Sequence, residues 1–426
     1  MKDGVKFPVN NFEEIKLKML NWVNQFSIFC LLDNNSYHFN EPAFECLLAA
    51  GSSKLIKANA GRAFEQLKDF SNQNKDEWLF GHFGFDLKNE TENLSSNHFD
   101  GIQLPDLTFF IPEIVIKLNK TELIIYAQSD EVNIVKKINE SSNKITPFIH
   151  FSNLQSRISK EEYINTVKKL QAHMLHGDCY EINFCQEFFA SNIVIDPVYI
   201  FSKLSAISPN PFAALYKLND KYSIGASPER YIKKIASRVF SQPIKGTSKR
   251  NMDNPVADEQ NRYYLENSIK EKSENVMVVD LVRNDLSRIC KEGTVRVDEL
   301  FGIYSFPQVH QMISTISGEV ADNMHWVDMI KATFPMGSMT GAPKKRVLEL
   351  IEKYEVTKRG LYSGAVGFVS PNGDFDFNVV IRTILYNASE KYLSFQAGSA
   401  ITFYSDAASE YEECLLKAEA IKKVLS

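Results

Sequence analysis

The sequence predicts an α+β protein with largely antiparallel sheets. Segments with the pattern of β-strands come in runs, and helical segments stand between these runs instead of alternating with single strands. The chain contains neither a G-x-G-x-x-G nor a Walker sequence, so no doubly wound nucleotide-binding fold is indicated. We find no internal repeat with a period of roughly 20 to 50 residues, which excludes a solenoid.

The composition is that of a folded globular protein. The chain has 426 residues, of which 44% are apolar and 24% charged. At about 100–200 residues per domain, this length allows two to four units, or one large enzyme domain with an additional lobe. The formal net charge is −5 and neither sign is gathered into a long block, so we expect small substrates and no nucleic acid partner.

The distribution of apolar residues and cysteines predicts a cytoplasmic protein. The longest clean apolar stretches, such as Phe26 to Leu32, are far shorter than the roughly 20 residues that a membrane span needs. The first residues show no secretory signal. The six cysteines lack C-x-x-C spacing, which argues against a zinc site or a disulfide framework and favours a reducing compartment.

The first part of the chain is predicted to form a lobe over residues 1–150. The polar stretch Asn139 to Asn143, followed by Pro147, is the best candidate boundary, and residues 151–426 then form a larger second lobe. A helical piece is expected around Pro42 to Ala50. The strands expected in this lobe are Phe26 to Leu32, Leu107 to Ile116 and Glu122 to Ala127.

The second lobe begins with a clearly delimited helix. Ser159 and Glu162 form a capping box, apolar residues follow at helical spacing from Tyr163 to Met174, and Gly177 ends the run. The segment Glu181 to Ala190 then alternates between apolar and polar residues, as a half-buried strand does. The further strands expected are Phe212 to Leu218, Tyr222 to Ser227, Ala365 to Ser370, Phe375 to Leu385 and Tyr392 to Ala397.

Lys245 is a candidate nucleophile. It lies between apolar Ile244 and flexible Gly246, and Glu229 precedes it by sixteen residues. A lysine acts as a nucleophile only when desolvation or a neighbouring group keeps a fraction of its amine unprotonated. A nearby carboxyl group can then accept or donate protons. The spacing does not show that the two residues meet, and a solvated loop lysine is the alternative.

Two pairs of carboxylates are candidate ligands for a hard cation. Glu271 and Glu274 are three residues apart on one predicted helix, and Glu410 and Glu413 repeat this spacing on the C-terminal helix. Because Mg²⁺ typically takes one or two protein carboxylates and completes its shell with water and ligand oxygens, a substrate carboxylate could be the bridge. Solvated charged helix faces are the alternative.

Two further features suit an anionic ligand. The turn Gly337 to Ala342 leads through Pro343 into a helix beginning near Lys344, so backbone N–H groups there are candidates for holding a carboxylate; a plain capped helix start is the alternative. Arg382 lies within an apolar strand, where a charge needs an anionic partner. That partner is either a structural carboxylate or the substrate.

These residues lie in sequence blocks by which the chain resembles the chorismate-utilising enzymes. The resemblance runs from the first lobe through nearly all of the second. The blocks that carry it are Phe80 to Asp86, Phe109 to Pro112, Gly177 to Tyr180, Ser227 to Arg230, Pro243 to Thr247, Glu274 with Asn275, Val279 to Asp285, Phe334 to Lys344 and Glu410 to Glu413.

The resemblance implies a fold like that of anthranilate synthase component I, with two facing, largely antiparallel β-sheets wrapped by helices. Residues 1–150 would be the N-terminal lobe and residues 151–426 the chorismate-binding catalytic domain. Lys245 matches the nucleophilic lysine of the para-aminating branch, and Glu229 matches the general acid/base. Glu274 and Glu413 match the two Mg²⁺ ligands, with Glu271 and Glu410 beside them. The residues implied around the substrate are Gly246, Thr247, Lys344, Tyr362, Arg382 and Gly398.

The same resemblance implies a reaction and a partner. Lys245 would attack ring C2 of chorismate while Glu229 protonates the departing C4 hydroxyl. Ammonia would then add at C4 and expel the lysine, giving 4-amino-4-deoxychorismate for para-aminobenzoate and folate synthesis. The sequence shows no amidotransferase nucleophile motif, so a separate glutaminase subunit is expected to supply the ammonia.

Two departures from the family pattern leave other functions open. Glu181 stands where aminating relatives often carry glutamine and isochorismate-forming relatives carry a water-activating lysine, and a carboxylate there could serve as a base. Gln311 stands where anthranilate synthases carry histidine, and this difference weakens the interpretation of the chain as an anthranilate synthase. The alternatives are an anthranilate synthase component I and a non-catalytic homologue that binds chorismate or tryptophan.

Overall fold

Two β-sheets form the centre of the protein in the computed structural model, which describes residues 4–37, 44–128, 130–150, 153–306 and 309–426. The strands are β1 (Val5–Pro8), β2 (Ile28–Asp33), β3 (Cys46–Ala50), β4 (Lys54–Ala58), β5 (Leu79–Phe83), β6 (Leu107–Ile111), β7 (Ile114–Leu118), β8 (Glu122–Ala127), β9 (Ile149–His150), β10 (Gln155–Ser156), β11 (Glu181–Ser191), β12 (Val194–Ile195), β13 (Phe212–Leu218), β14 (Lys221–Ser227), β15 (Arg230–Ile235), β16 (Arg238–Gln242), β17 (Ile244–Lys249), β18 (Arg296–Ser305), β19 (Val309–Glu319), β20 (Gly341–Ala342), β21 (Ala365–Val369), β22 (Phe375–Val379), β23 (Thr383–Asn387) and β24 (Tyr392–Thr402).

Helices cover the outer faces of the sheets. They are α1 (Phe12–Val23), α2 (Ala63–Gln73), α3 (Lys88–Thr91), α4 (Glu131–Glu140), α5 (Lys160–Leu175), α6 (Pro197–Ile207), α7 (Pro255–Asn267), α8 (Ile269–Ser287), α9 (Trp326–Thr333), α10 (Lys344–Tyr354) and α11 (Ala407–Leu425), with short 3₁₀ turns at Phe85–Leu87 and Gly337–Met339. Within the described ranges, none of these helices combines the length and the apolar character that crossing a bilayer requires.

The strand order makes the protein α+β with antiparallel sheets, as the sequence predicts. The first sheet has the order β1-β8-β7-β3-β2-β13-β14-β23-β24-β11-β10, with β20 also paired to β11. The second has the order β17-β19-β16-β15-β22-β21-β5-β6-β4, with β18 also paired to β19. Every strand pairing that the structure describes is antiparallel.

Three apolar clusters hold the layers together. One lies between the sheets, where Cys30 and Leu47 of the first sheet meet Phe80 and Val366 of the second. The largest joins the outer face of the first sheet to α1, α4, α5, α6, α10 and α11. The third joins the outer face of the second sheet to α2, α8 and α9. Because both faces of both sheets are covered, most strand positions are buried on either side.

The two parts of the chain on either side of residue 150 share both sheets. In the first sheet β2 pairs with β13, and in the second β5 pairs with β21. The polar stretch near residue 150 therefore connects two parts of one layered core.

Several predicted elements differ in type or extent from those observed. The helical piece expected around Pro42 to Ala50 is wrong, because Cys46–Ala50 is the buried strand β3 in the first sheet; Pro42 lies outside the described residues. A short continuous apolar run does not distinguish a buried strand from a helix by its periodicity. The runs Leu107 to Ile116 and Phe375 to Leu385 each fold as two strands.

The boundaries of α5 and β11 confirm the more specific patterns. Ser159 and Glu162 form the reciprocal capping box that begins α5, and Gly177 lies beyond its end with a φ of 83°. The strand expected over Glu181 to Ala190 is β11, but it is buried on both faces instead of half-buried. Helices cover its apolar face, and its polar face turns towards the interior where Glu181 lies 3% exposed.

A buried ion pair lies beside β11. The Arg359 guanidinium donates to both Glu355 carboxylate oxygens at 2.9 and 2.6 Å, and also to the carbonyls of Met339 and Asn183, each at 2.8 Å. Glu355 in turn accepts from the backbone N–H of Cys185 at 3.0 Å. Both charged side chains are almost fully buried.

Arg359→Met is expected to destabilise the protein by about 3–5 kcal/mol, because it leaves the Glu355 carboxylate buried without its partner. Urea denaturation followed by circular dichroism measures the change. The matched control is Arg262→Met, which breaks an exposed pair with Glu259 and is expected to cost less than about 1 kcal/mol. Equal losses in the two variants would contradict a structural role for Arg359.

Candidate active site

The site forms where the chain crosses from one sheet to the other. Glu229 lies between β14 of the first sheet and β15 of the second, and Arg382 lies between β22 and β23, which cross in the opposite direction. The crossing segments bond to each other: the N–H of Ala226 donates to the Arg382 carbonyl at 3.1 Å, and that of Val379 to the Glu229 carbonyl at 3.0 Å. Both side chains are thus carried by rigid, paired backbone.

Lys245 reaches the same junction from β17, the outermost strand of the second sheet. The pairing of β17 with β19 shifts register between Ile244 and Thr247, and Gly246 between them has a φ of 97°, a conformation that favours glycine. Such a bulge redirects the neighbouring side chain. The Lys245 ammonium consequently donates to Glu181 Oε1, on β11 of the first sheet, at 2.7 Å.

Lys245 is held as an ammonium in this resting arrangement. Burial acts to lower its pKa, but the carboxylates of Glu181, Glu274 and Glu413 outweigh burial and raise the pKa above its usual value. A proton has to leave this nitrogen before it can act as a nucleophile.

Glu229 has the properties of a general acid. Its side chain is 4% exposed, and burial raises its pKa to about 7, against the opposing effects of a hydrogen bond from Ser338 and of the positive charges of Lys245 and Arg382. A large fraction of Glu229 is therefore protonated at neutral pH. A carboxyl group tuned in this way can give a proton to a leaving group.

The four candidate metal-binding glutamates come from two helices, α8 and α11, that Lys270 bridges. Lys270 on α8 lies 3.8 Å from Glu274 on the same helix and 3.8 Å from Glu410 on α11. Glu413 is bound by Lys417 at 2.8 Å and keeps about two-fifths of its side chain exposed. Lys270 thus bridges one glutamate of each E-x-x-E pair, and a metal site at these glutamates stays a prediction.

The donor set fits a hard cation that is completed by the substrate. Burial raises the pKa of Glu274 to about 7, with Lys245 opposing this and the charges of Glu181 and Glu271 adding to it. Among the residues that the structure describes, no three acidic, histidine or cysteine side chains lie close enough to hold a metal by themselves. Mg²⁺ needs only one or two protein carboxylates when ligand oxygens and water supply the rest.

Arg382 is available to bind an anion. Its backbone has a φ of 50°, and its guanidinium forms no hydrogen bond or ion pair with any described residue. Burial lowers its pKa and the Glu229 carboxyl opposes this, so the two side chains lie within electrostatic range of each other. Of the two partners considered for Arg382, a structural carboxylate in a direct ion pair is therefore not found among the described residues.

The structure gives Lys344 a different role from the expected substrate contact. Its ammonium donates to both carboxylate oxygens of Asp285 at 2.7 Å and to the Thr333 carbonyl at 3.3 Å, so its three N–H groups are engaged. These bonds fix the start of α10 to α8 and α9. The position of Lys344 in the sequence predicted a substrate contact, but in the structure its ammonium pairs with the buried carboxylate of Asp285.

The remaining expected substrate contacts lie at different depths. Thr247 is exposed and pairs with Gln311 across the strands. Tyr362 is buried, with its hydroxyl 3.6 Å from the Cys185 sulfur. Gly398 pairs with Cys185, and a Cβ there would approach the Phe184 carbonyl to 2.2 Å, so close strand packing already requires this glycine.

The turn predicted as an anion cradle instead positions Glu181 and Glu229. Ser338 in this turn hydrogen-bonds to the Glu229 carboxyl, and β20 pairs Ala342 with Glu181. Gly341 has a φ of 141°, and a Cβ there would lie 2.1 Å from the Glu181 carbonyl. The helix that follows begins at Lys344 without a side-chain cap.

Two positioning residues were not singled out from the sequence. Asn275 is buried on α8, where it accepts from the Ser314 hydroxyl at 2.6 Å and donates to the Lys245 carbonyl at 3.4 Å, so it supports the lysine-bearing bulge. Ser338 lies in the glycine-rich turn, but nothing in its spacing points to Glu229. The only sequence signal for Asn275 was its place in a block shared with the family. The only signal for Ser338 was its place in the glycine-rich turn.

Comparison with known proteins gives a consistent result. The family model for chorismate binding enzymes matches residues 29–423. Aminodeoxychorismate synthase component 1 of Salmonella typhimurium is 35% identical over 351 residues, covering 80% of this chain and 75% of that protein. Anthranilate synthase component 1 of Aquifex aeolicus is 30% identical over 374 residues, covering 82% of this chain and 74% of that protein.

The fold is shared with a solved relative. The crystal structure of anthranilate synthase component I from Streptococcus pneumoniae superimposes with a TM-score of 0.79 at 24% identity, covering 92% of this chain and 94% of that one. This likeness confirms the expected fold, with its two facing antiparallel sheets wrapped by helices.

Proposed function

The chain belongs to the chorismate-binding enzymes, and from this we propose that it converts chorismate and ammonia to 4-amino-4-deoxychorismate. The identity of about one third with aminodeoxychorismate synthase component 1 of several bacteria supports this product. The observation that carries the proposal is the placement of Lys245 between Glu181 and the two glutamate-bearing helices, in electrostatic contact with the protonatable Glu229.

Chorismate is a dianion, and the site offers fixed positive charge for it. Arg382 faces the junction with an unengaged guanidinium, and it is the described cation best suited to a carboxylate. A guanidinium donates two parallel hydrogen bonds to such a group and so orients it as well as binds it. Lys344 is excluded from this task by its bonds to Asp285.

We further propose Mg²⁺ as the cofactor. Glu274 and Glu413 would hold it, with Glu271 and Glu410 beside them as outer partners. When bound, the ion supplies charge that holds a substrate carboxylate and withdraws electron density from the ring. The donor chemistry supports this assignment, because carboxylate oxygens are the protein ligands that Mg²⁺ prefers.

The first chemical step joins Lys245 to the ring. The nitrogen lone pair of the neutral amine forms a bond to C2, the electron pairs of the two ring double bonds shift by one position, and the C4 hydroxyl leaves with the proton of Glu229. Water is thus released, and a covalent lysine adduct of the ring remains. Acid assistance of this kind typically contributes about 10²–10⁴-fold to the rate.

The second step replaces the lysine by ammonia. Ammonia adds at C4, the double bonds shift back, and the bond between C2 and Lys245 breaks so that the amine leaves. The new C4 ammonium returns one proton to the Glu229 carboxylate, which restores the acid for the next turnover. The sum is chorismate plus ammonia giving 4-amino-4-deoxychorismate plus water.

The ammonia source and the compartment are part of the proposal. The relatives are numbered component 1, which supports a separate partner subunit, and we propose a glutaminase for it. The cysteines of this chain are free, buried thiols, which suits a reducing compartment such as the cytoplasm.

A second candidate function is anthranilate synthesis. It is favoured by the identity with the Aquifex aeolicus protein, whose printed name is anthranilate synthase component 1. Incubation of the chain with chorismate, MgCl₂ and ammonium sulfate, followed by chromatography and mass spectrometry, distinguishes the two. We expect 4-amino-4-deoxychorismate; formation of 2-aminobenzoate would replace this proposal by the second one.

Glu413→Gln is expected to weaken Mg²⁺ binding and to lower turnover with it, because an amide oxygen carries no net charge for the cation. Isothermal titration with MgCl₂ in the presence of chorismate measures the affinity. The control is Glu412→Gln on the same helix, where the native carboxylate pairs with exposed Lys160, and this variant is expected to titrate like the wild type. Unchanged titration of Glu413→Gln would reassign the metal site.

A further inference from the structure

The backbone that carries Lys245 departs from regular strand pairing. Ile244 pairs with Ile313 and Thr247 with Gln311, so two residues of β17 face one residue of β19 between these pairs. The extra residue of such a bulge is left out of the ladder of backbone hydrogen bonds. The position of Lys245 therefore depends on contacts other than the regular ladder.

Ser314 of β19 supports both sides of this bulge. Its backbone N–H donates to the Pro243 carbonyl at 3.3 Å. Its hydroxyl donates to Asn275 Oδ1 at 2.6 Å, and Asn275 Nδ2 donates to the Lys245 carbonyl at 3.4 Å. Ser314 is 0% exposed and Asn275 1%, so bulk water cannot take the place of these hydrogen bonds. Ser314 thus holds the chain before Lys245 directly and Lys245 itself through Asn275.

The direction of these hydrogen bonds follows from their donors. The backbone N–H of Phe301, on β18, donates to Ser314 Oγ at 3.1 Å. Because an N–H group can only donate, Ser314 Oγ accepts there and gives its single proton to Asn275. Asn275 must then accept with its oxygen, which turns its NH₂ group towards the Lys245 carbonyl. The Ser314 hydroxyl therefore selects the orientation of the amide that supports Lys245.

Phe301 presents its N–H to Ser314 from an unusual backbone conformation. Its φ is 61°, in the left-handed region that bulky residues rarely adopt. The pairing of β18 with β19 shifts register between Glu299 and Gly302, so Phe301 lies in a second bulge. Strained residues persist only where the surrounding structure holds them, and they cluster at functional sites. The strain at Phe301 thus points to a function for the N–H that Ser314 accepts.

The bulge of β17 also contacts the proposed general acid. The Glu229 carboxyl accepts a hydrogen bond from the backbone N–H of Ile244, the residue before Lys245. A shift of this backbone would therefore move the nucleophile and a donor to the acid together. Misplacement of reacting groups by about 1 Å can cost roughly 10²-fold in rate. The contacts that fix the bulge are thus expected to affect the chemical step.

We propose that Ser314 is a positioning residue for the proposed reaction: through Asn275 and the β17 bulge, it fixes Lys245 relative to Glu229. This inference rests on the proposed function. Ser314 is buried behind the bulge against α8, so it does not touch the substrate. Its loss is therefore expected to lower kcat and to leave the KM for chorismate nearly unchanged.

Ser314→Ala tests this role by removing the hydroxyl alone. We expect kcat for the ammonia-dependent formation of 4-amino-4-deoxychorismate to fall by about 10–10²-fold, with the KM for chorismate within about twofold of the wild-type value. Intact-protein mass spectrometry with chorismate and MgCl₂, in the absence of ammonia, is expected to show slower formation of the lysine adduct. The matched control is Ser317→Ala, another buried serine of β19 whose hydroxyl accepts from Arg238, and it is expected to match the wild type.

A double substitution distinguishes the proposed path from general packing. If the Ser314 side chain acts only through Asn275, Ser314→Ala/Asn275→Ala has the kcat of Asn275→Ala alone. Losses that multiply in the double variant overturn the inference. If Ser314→Ala fails to fold, Ser314→Cys takes its place, because a thiol is a weaker hydrogen-bond donor than a hydroxyl. A wild-type kcat in Ser314→Cys then overturns the inference.

The remaining outcomes separate this inference from the proposed function. Ser314→Ala with a raised KM and an unchanged kcat would make Ser314 a binding residue and overturn the inference. A wild-type chain that produces 4-amino-4-deoxychorismate but never carries a lysine adduct also overturns it, while the product assignment stands. A wild-type chain that produces no 4-amino-4-deoxychorismate refutes the proposed function, and the inference falls with it.

Discussion

Lys245→Ala is expected to lower the ammonia-dependent formation of 4-amino-4-deoxychorismate by at least about 10³-fold, because it removes the amine proposed as the nucleophile. Initial rates with ammonium sulfate measure the loss, and intact-mass analysis with chorismate alone is expected to show no adduct. Slow direct amination at high ammonia concentration is the expected residual activity. Unchanged turnover would remove the lysine from the mechanism.

The controls for this variant separate chemistry from stability. Lys249→Ala, on the same strand but exposed, is expected to retain activity. Removal of Lys245 leaves Glu181 without its partner, which typically costs about 3–5 kcal/mol in a buried pair. The double variant Lys245→Ala/Glu181→Gln is expected to recover stability but not activity, so recovery of both would mean that the single variant failed for structural reasons.

Glu229→Gln is expected to lower kcat by about 10²–10⁴-fold, because the amide has no proton of suitable acidity for the C4 hydroxyl. The wild-type pKa of about 7 gives the sign of the pH dependence: the protonated form is the active acid, so this group's contribution declines as pH rises through about 7. A rate profile for Glu229→Gln that keeps the wild-type decline would assign the acid elsewhere.

Stability provides the control for Glu229→Gln. The pKa of this carboxyl is raised by folding, so ionisation is harder in the folded chain, and the wild type loses stability as pH rises from the unfolded value through about 7. Glutamine cannot ionise and avoids this loss. Urea denaturation at pH 8 is therefore expected to show the variant at least as stable as the wild type; marked destabilisation would mean that the fold, not the acid, had been lost.

Local spacing patterns predicted those helices and strands whose start, periodicity and end can all be read within one short segment of the sequence. The capping box at Ser159 and the alternation after Glu181 gave helix α5 and strand β11 close to their observed bounds, and β8 and β13 agree at both ends. The segment before Ala50 was misassigned because a short apolar run has the same local pattern in a buried strand as in a helix.

Among the candidate site residues, too, some could be found from local sequence patterns and others could not. Lys245, Glu229 and the glutamate pairs lie in recognisable blocks, so the sequence alone made them candidates. The direct contact between Lys245 and Glu181 joins residues 64 positions apart on strands of different sheets, and no spacing rule reaches so far. Lys344 lies in a recognisable block too, but its ammonium pairs with buried Asp285, and no spacing rule indicates that contact.

The sequence by itself determined the class of fold, the family and the candidate site residues, because these depend on local periodicity and on motifs read along the chain. Tertiary structure alone decided which charges meet. The facing of the two sheets brought Lys245 to Glu181, burial at the junction raised the pKa of Glu229 to about 7, and neighbouring carboxylates raised the pKa of Lys245. The physical reason is that desolvation and Coulomb interactions depend on distances through space, which only the packed sheets define.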